Sequence, residues 1–299
     1  MPTPSLRNRY LGVQPYQTRD RDLFFGRDED IDSLHDFLML EKLVVLFGKS
    51  GYGKSSLLSA GIVPRLTDAE QPERFRFIPI EVRFGHHAEG QSFSPLETLQ
   101  RRIAERPPVE EMAFLEEEEA SLWTQLKQRQ QGGTEQFVLI FDQFEEFFSY
   151  PLAQQQALRR PLAELLYGTL PSAVADRLER LSPEQVRLAL SPLNVKAVLS
   201  IRSDRLSLLD SLKDVLPAIL HKRYELKPLS PRQAREAIVQ PARKGHDEAQ
   251  SWRQQFHTPP FEYTEAALTQ IAQELSAEHS EGIEAFQLQI VCAEIEKKI

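Results

Sequence analysis

The nine residues Gly48-Lys49-Ser50-Gly51-Tyr52-Gly53-Lys54-Ser55-Ser56 constrain this chain more than any other stretch. Gly48, Gly53, Lys54 and Ser55 fit G-x-x-x-x-G-K-[ST], and the apolar run Leu43-Val44-Val45-Leu46-Phe47 in front supplies the buried strand that the pattern needs as context. Glycines let the backbone curl around a polyphosphate so that successive N–H groups point inward, and a helix starting near Lys54 adds its positive dipole end. Lys54 is expected to reach the β- and γ-phosphates, and the Ser55 hydroxyl to hold Mg²⁺. Ser50, Gly51, Tyr52 and Ser56 complete the candidate phosphate loop. The competing reading is a glycine turn that binds nothing; the strand before it and Leu57-Leu58 after it argue against that.

At 299 residues the chain can hold a nucleotide-binding domain of ordinary size with a smaller attached unit. A formal charge of −8 disfavours a large nucleic-acid footprint, although a local basic patch remains compatible with it. Cys292 is the only cysteine, so no internal disulfide can form and a reducing compartment is expected. No apolar run approaches the length of a membrane span, and the start, Met1 to Arg7, has no apolar leader segment. A soluble, cytoplasmic protein is expected, with no membrane partner.

The polar, arginine-rich stretch 1–22 reads as an ordered lead-in rather than a core element. After Phe24-Phe25-Gly26-Arg27, Ile31, Leu34, Phe37 and Leu38 recur at helical spacing. The helix of the phosphate loop is expected to end near Gly61, with Pro64 just beyond. Phe75 to Val82 alternates as a strand, and Pro79 suggests a sheet edge. Ser94-Pro95-Leu96-Glu97 is a capping box that starts a helix reaching about Glu105. The acidic run Glu116 to Glu119 reads as a solvated helix face and His86-His87 as a loop pair.

Phe137-Val138-Leu139-Ile140-Phe141 is a continuous apolar run of the kind buried on both faces of a parallel sheet, and it ends in Asp142-Gln143-Phe144-Glu145-Glu146. A carboxylate at the end of a buried strand, Asp142, can orient the hydration shell of Mg²⁺ beside Ser55, and Glu145 or Glu146 could polarise an attacking water. Pro151 to Leu193 is helical in character and reads as an insertion. Val195 to Ile201 is a further strand delivering Arg202-Ser203-Asp204-Arg205. Arg202 can report a γ-phosphate, against the alternative of surface Arg–Asp pairing for Arg202 and Arg205. Tyr224 to Leu229 is a fifth strand, and Ser230-Pro231-Arg232-Gln233 caps a helix ended by Pro241 and Gly245. Two more helices follow, around Leu268 to Leu275 and Phe286 to Ile295; the last carries an apolar face to the chain's end, as if uncovered.

Together these stretches resemble the bacterial novel STAND NTPases, relatives of the AP-ATPase and NACHT proteins. The resemblance is carried by Arg9-Tyr10-Leu11-Gly12 with Leu23 to Arg27, by Gly48 to Gly61, by Leu139 to Phe148, by Val198 to Asp204 and by Phe286 to Cys292. It implies an α/β P-loop NTPase fold of the additional-strand type: a five-stranded parallel sheet in the order 5-1-4-3-2 with helices on both faces, plus a C-terminal helical lid. The implied organisation is a lead-in over 1–22 packing on the nucleotide site, a nucleotide-binding domain over 23–229 with the insertion at about 151–193, and a lid with the start of a winged-helix region over 230–299. Phe25, Gly26 and Arg27 are implied to lie against adenine and ribose, and Arg202 to act as the sensor. Two departures stand out: Ala285 sits where the family tends to have proline, and the 151–193 insertion is longer than usual.

The implied function is a slowly hydrolysing, Mg²⁺-dependent ATP/ADP switch that couples nucleotide state to lid rearrangement, homo-oligomerisation or an effector. Family members are normally longer, so any further sensor or effector domain is expected beyond Ile299, with an excised core or a short form as the alternatives. The competing functions are a nucleotide-locked scaffold without turnover and a DNA-handling loader or transposition-regulator ATPase.

Overall fold

The computed structural model describes residues 6–68, 76–90, 92–115, 121–245, 255–277 and 282–299. The acidic run Glu116 to Glu119 and Phe75 lie outside the described residues. Two compact units emerge, one from Met1–His35, Gly48–Arg65 and Glu225–Ile299, the other from Asp36–Phe47 and Leu66–Tyr224.

The second unit is built on the sheet. Its strands are β1 (Leu43–Gly48), β2 (Arg76–Val82), β3 (Glu135–Phe141), β4 (Asn194–Arg202) and β5 (Arg223–Glu225), in the order β2-β3-β4-β1-β5. This is the expected order read from the opposite edge, and it puts Pro79 on the edge strand β2. β2 pairs parallel with β3, and β3 with β4, with Ile80 opposite Leu139 and Leu139 opposite Ala197. β3 is buried along its whole length, which is why its sequence is apolar without alternation. The described helices of both units, in chain order, are α1 (Asp28–Leu40), α2 (Lys54–Ser56), α3 (Val63–Thr67), α4 (Pro95–Ala104), α5 (Leu122–Lys127), α6 (Leu152–Tyr167), α7 (Ser172–Ala175), α8 (Pro183–Leu190), α9 (Pro231–Arg243), α10 (Glu265–Ala277) and α11 (Ala285–Glu296).

The apolar side chains of α4, α5 and α6, such as Leu99, Ile103, Leu126, Leu162 and Leu166, form one core with Val45, Leu139, Phe141 and Leu199 of the strands. Capping boxes start α4 at Ser94, α8 at Ser182 and α9 at Ser230, each with proline in the first turn, as read from the sequence. The insertion resolves into α6, α7 and α8. Among the described residues no helix is long and apolar enough to cross a membrane.

Several expectations are corrected. The phosphate-loop helix does not stop at Gly61: a π-helical stretch, Leu57–Ile62, carries it without a break into α3 (Val63–Thr67), so Pro64 lies inside the continuing helix rather than beyond its end. Gly61 is there for close packing, since a Cβ would stand 2.8 Å from Cγ1 of Ile31. β5 ends at Glu225, and Leu229 makes instead an isolated antiparallel bridge with Ile283. α9 runs past Pro241 to Arg243.

Part of the lead-in, Arg9, Tyr10, Tyr16 and Asp20, is buried rather than coating. Arg9 is fully buried, and its guanidinium donates to the carbonyls of Pro241, Lys244 and Thr258 while stacking 4.2 Å from the centroid of Phe256. Tyr10 packs with α9, α10 and α11, and its hydroxyl donates to the carbonyl of Ile238. The apolar face of α11 is therefore largely covered, with Leu288 and Cys292 buried in that same cluster and Phe286 still 43% exposed. Burial pushes the Cys292 thiol up to about 12.

Lys127, at the end of α5, is fully buried, with its ammonium donating to Gln130 Oε1 and to both oxygens of Ser191. Burial lowers it from its ordinary value to about 8. Between that value and the ordinary lysine value, the unfolded chain holds a proton that the folded chain has released, so this group's contribution to stability rises with pH through the window and is flat below about 8. Lys127→Met is expected to remove that rise: thermal melts at pH 7.5 and about pH 9.5 should show wild type gaining several degrees relative to the variant. A constant difference across the two pH values would refute it.

Candidate nucleotide site

The phosphate loop belongs to the first unit. It leaves β1 at Gly48, whose position tolerates no side chain because a Cβ would stand 2.7 Å from the carbonyl oxygen of Leu226. Gly51 and Gly53 take φ values of 86° and 94°, conformations that a β-carbon disfavours, and Gly53 is the N-cap of α2. The glycine spacing read from the sequence thus has two physical causes, a left-handed backbone and a close approach. Lys54 folds back over the loop, its ammonium 2.8 Å from the Gly48 carbonyl and 3.1 Å from that of Lys49. Ser50 is exposed, Ser55 is half-buried, and Tyr52 and Ser56 are buried.

Other segments of this unit hold the loop. Arg27 is only 4% exposed and spends its donors on Asp30 Oδ2 at 2.9 Å, the Tyr52 carbonyl at 2.9 Å and the Lys227 carbonyl at 3.0 Å. It therefore braces the loop through Tyr52. Gly26 takes a φ of 79° and packs against the backbone of Gln233, where a Cβ would stand 2.3 Å from the carbonyl oxygen. Phe25 is half-buried, with the Lys244 ammonium 5.5 Å from its ring centroid. The first turn of α11 reaches the loop directly: the Phe286 N–H donates to the Gly51 carbonyl at 3.0 Å, and Ala285 lies against Gly53.

The acidic motif belongs to the second unit. Asp142 follows β3, its N–H donating to the Val82 carbonyl at 2.9 Å. Gln143 takes a left-handed φ of 52°, and its side-chain oxygen accepts from Arg83. That reversal starts the short 3-10 turn Phe144–Ser149, pinned by an aromatic cluster in which Phe144 and Phe147 stack at 5.2 Å. The two glutamates consequently diverge. Glu145 Oε2 accepts from the Arg202 N–H at 3.4 Å, at the tip of β4. Glu146 is 8% exposed, with Arg83 at 3.9 Å and His86 at 4.0 Å from its carboxylate. His87, the other half of the loop pair, packs its ring 5.1 Å from that of Tyr150.

Arg202 forms a two-pronged pair with Asp204, at 3.0 Å and 2.9 Å, and Arg205 approaches the same carboxylate at 3.6 Å. The alternative weighed from the sequence, an Arg–Asp pair, is thus formed at this strand tip. The Asp204 carboxyl is held below its ordinary range by hydrogen bonding to Arg202. Sequence reasoning missed three residues. Tyr16 donates through its N–H to Ser56 Oγ, Glu296 accepts from the N–H groups of Arg9 and Tyr10, and Gln289 accepts from the Tyr16 hydroxyl. Only the resemblance at Arg9 to Gly12 and at Phe286 to Cys292 pointed toward these segments.

The sequence profile described as Novel STAND NTPase 1 matches residues 10–254. No curated protein matches the chain. Among solved structures, a Walker-type ATPase of Pyrococcus abyssi is 17% identical over 95% of this chain and 71% of its own, with a TM-score of 0.48. The ORC2 protein of Aeropyrum pernix, solved in ADPNP–ADP complexes, is 15% identical over 91% and 68%, with a TM-score of 0.49. PCH-2 of C. elegans is 11% identical over 91% and 69%, with a TM-score of 0.39. The profile, from residue 10 on, spans the rest of the lead-in, the phosphate loop, the acidic strand and the arginine strand, and the sheet order is that of a P-loop NTPase; the chain belongs to the novel STAND NTPase 1 family.

Proposed function

We propose that the protein is an ATP-driven switch: it binds ATP or ADP with Mg²⁺, hydrolyses ATP slowly, and uses the nucleotide state to set the arrangement of its C-terminal helices, 230–299, as a lid. The observation that carries this reading is the mounting of the phosphate loop. Left-handed glycines, Arg27 behind the loop and the first turn of α11 against Gly51 and Gly53 leave the loop shaped by several segments at once. A loop whose only role was to turn the chain would need none of these.

In this reading Gly48 to Ser56 supply the phosphate cradle, with Lys54 turning from the carbonyls of Gly48 and Lys49 toward the β- and γ-phosphates. Phe25, Gly26 and Arg27 border the base side, Arg27 acting through the loop that it braces. By residue type the Ser55 hydroxyl and the Asp142 carboxylate are each hard oxygen donors of the kind that Mg²⁺ takes. Once bound, the cation would neutralise phosphate charge. Glu145 would orient the attacking water, and Arg202 would exchange Asp204 for the γ-phosphate when ATP is present. The lead-in, 1–22, would tie the loop to the lid, and lid movement would be passed to a homo-oligomer contact or to a sensor or effector domain of a longer protein.

A nucleotide-locked scaffold is the second reading, favoured by the Arg202–Asp204 pair, which occupies the sensor in the form described here. Phosphate release separates the two. The purified chain with ATP and Mg²⁺ is expected to release phosphate at a low, sustained rate, abolished by EDTA, whereas binding without release would establish the scaffold. Stimulation by DNA that is lost at high salt would favour the DNA-handling alternative.

A further inference from the structure

The lead-in runs beside α11 and is fastened to it at two points on one helix. At the helix's C-terminal end the Glu296 carboxylate accepts the N–H groups of Arg9 at 3.0 Å and of Tyr10 at 3.1 Å, and the Thr258 hydroxyl at 2.7 Å. Seven residues earlier, two helical turns back, Gln289 Oε1 accepts the Tyr16 hydroxyl at 2.7 Å. Tyr16 is 4% exposed, and its ring packs 5.8 Å from that of Phe24. Burial drives the phenol's ionisation upward, so the hydroxyl stays a donor over the working pH range.

Tyr16 has a second contact at its other end. Its main-chain N–H donates to the Ser56 hydroxyl at 3.1 Å, immediately after the Lys54-Ser55 pair. Thr18 adds a bond from its hydroxyl to the Ser59 carbonyl at 2.9 Å. The nucleotide loop is thus joined to α11 twice: directly, Phe286 N–H to Gly51, and one turn later by the chain Ser56–Tyr16–Gln289.

We propose that Tyr16 is a positioning residue for nucleotide binding, whose hydroxyl couples the phosphate loop to the docking of α11. This deepens the switch reading and rests on it. The side chain touches no phosphate; it acts through Ser56 at one end and Gln289 at the other. When α11 is docked, the first turn after the loop is held and the loop's N–H groups are pre-oriented. When α11 departs, that support is lost and affinity falls. Because binding linkage is reciprocal, nucleotide bound at the loop favours docked α11 by the same factor.

The test uses the full chain. ADP affinity is measured by titration calorimetry, with thermal unfolding alongside, for wild type, Tyr16→Phe, Gln289→Leu, the double variant and Lys54→Ala. Tyr16→Phe keeps the ring and the N–H bond to Ser56 and deletes only the hydroxyl, so the nucleotide-free melting temperature should change little. Each single variant is expected to bind ADP about three- to tenfold more weakly, the size of one net hydrogen bond, and the double no more weakly than the worse single. Unchanged affinity in both singles, or strictly additive losses, overturns the coupling while leaving the switch reading intact, provided Lys54→Ala has lost binding. Retained binding in Lys54→Ala overturns both. Should Tyr16→Phe not fold, Gln289→Leu alone decides: wild-type affinity there is the overturning result.

Discussion

Lys54→Ala is expected to weaken ADP and ATP binding by at least about a hundredfold, the range found when one partner of a close charge pair is truncated. The argument starts from residue type. An ammonium on a four-carbon stem can follow a phosphate and still swing away, and in this structure that of Lys54 rests on the Gly48 and Lys49 carbonyls. Those carbonyls sit on the loop itself, so the lysine holds the loop's curl before nucleotide arrives. Alanine removes both services. The half-buried position of Lys54 means that little core packing is lost, and melting of the nucleotide-free variant should stay close to wild type. The discriminating measurement is therefore calorimetric affinity together with the ADP-induced rise in melting temperature, which should disappear in the variant. Equal affinity in the two proteins would remove the phosphate loop from the proposal, and the switch with it.

What the sequence made legible follows from which forces are local. The apolar run of β3, the glycine-lysine spacing of the phosphate loop and the capping boxes at Ser94, Ser182 and Ser230 are set by neighbours within a few residues, and each appears where it was expected. The sheet order came from the family resemblance and agrees with the observed pairing. What could not be read depends on partners far apart in the chain. Arg9 looked like one of several polar arginines because the carbonyls that satisfy it lie more than two hundred residues away. Gly61 reads as a helix end, a common use of glycine, whereas its cause is the Ile31 side chain. The shortening of β5 likewise has its reason elsewhere, in the bridge that Leu229 makes with Ile283.

Glu145 and Glu146 show the same limit at the point where it matters most for chemistry. Adjacent in sequence and identical in type, they were interchangeable candidates for orienting water. A left-handed φ at Gln143 and the stacked pair Phe144–Phe147 separate them: Glu146 turns toward Arg83 and His86, and Glu145 toward the backbone of Arg202. Glu145→Gln is accordingly expected to lower the rate of phosphate release by about a hundred- to a thousandfold, the usual contribution of a positioned general base, with ATP affinity retained within about threefold. Glutamine keeps the shape and the acceptor for the Arg202 N–H, so the strand tip should hold. Glu146→Gln, by contrast, removes a buried carboxylate beside the Arg83 guanidinium, and its main effect should be a lower melting temperature with turnover reduced far less. Single-turnover phosphate release on both variants, with affinity measured in parallel, distinguishes the assignments. If Glu146→Gln abolishes release and Glu145→Gln does not, the roles are reversed, and the carboxylate beside Arg83 rather than the one beside Arg202 carries the hydrolytic step.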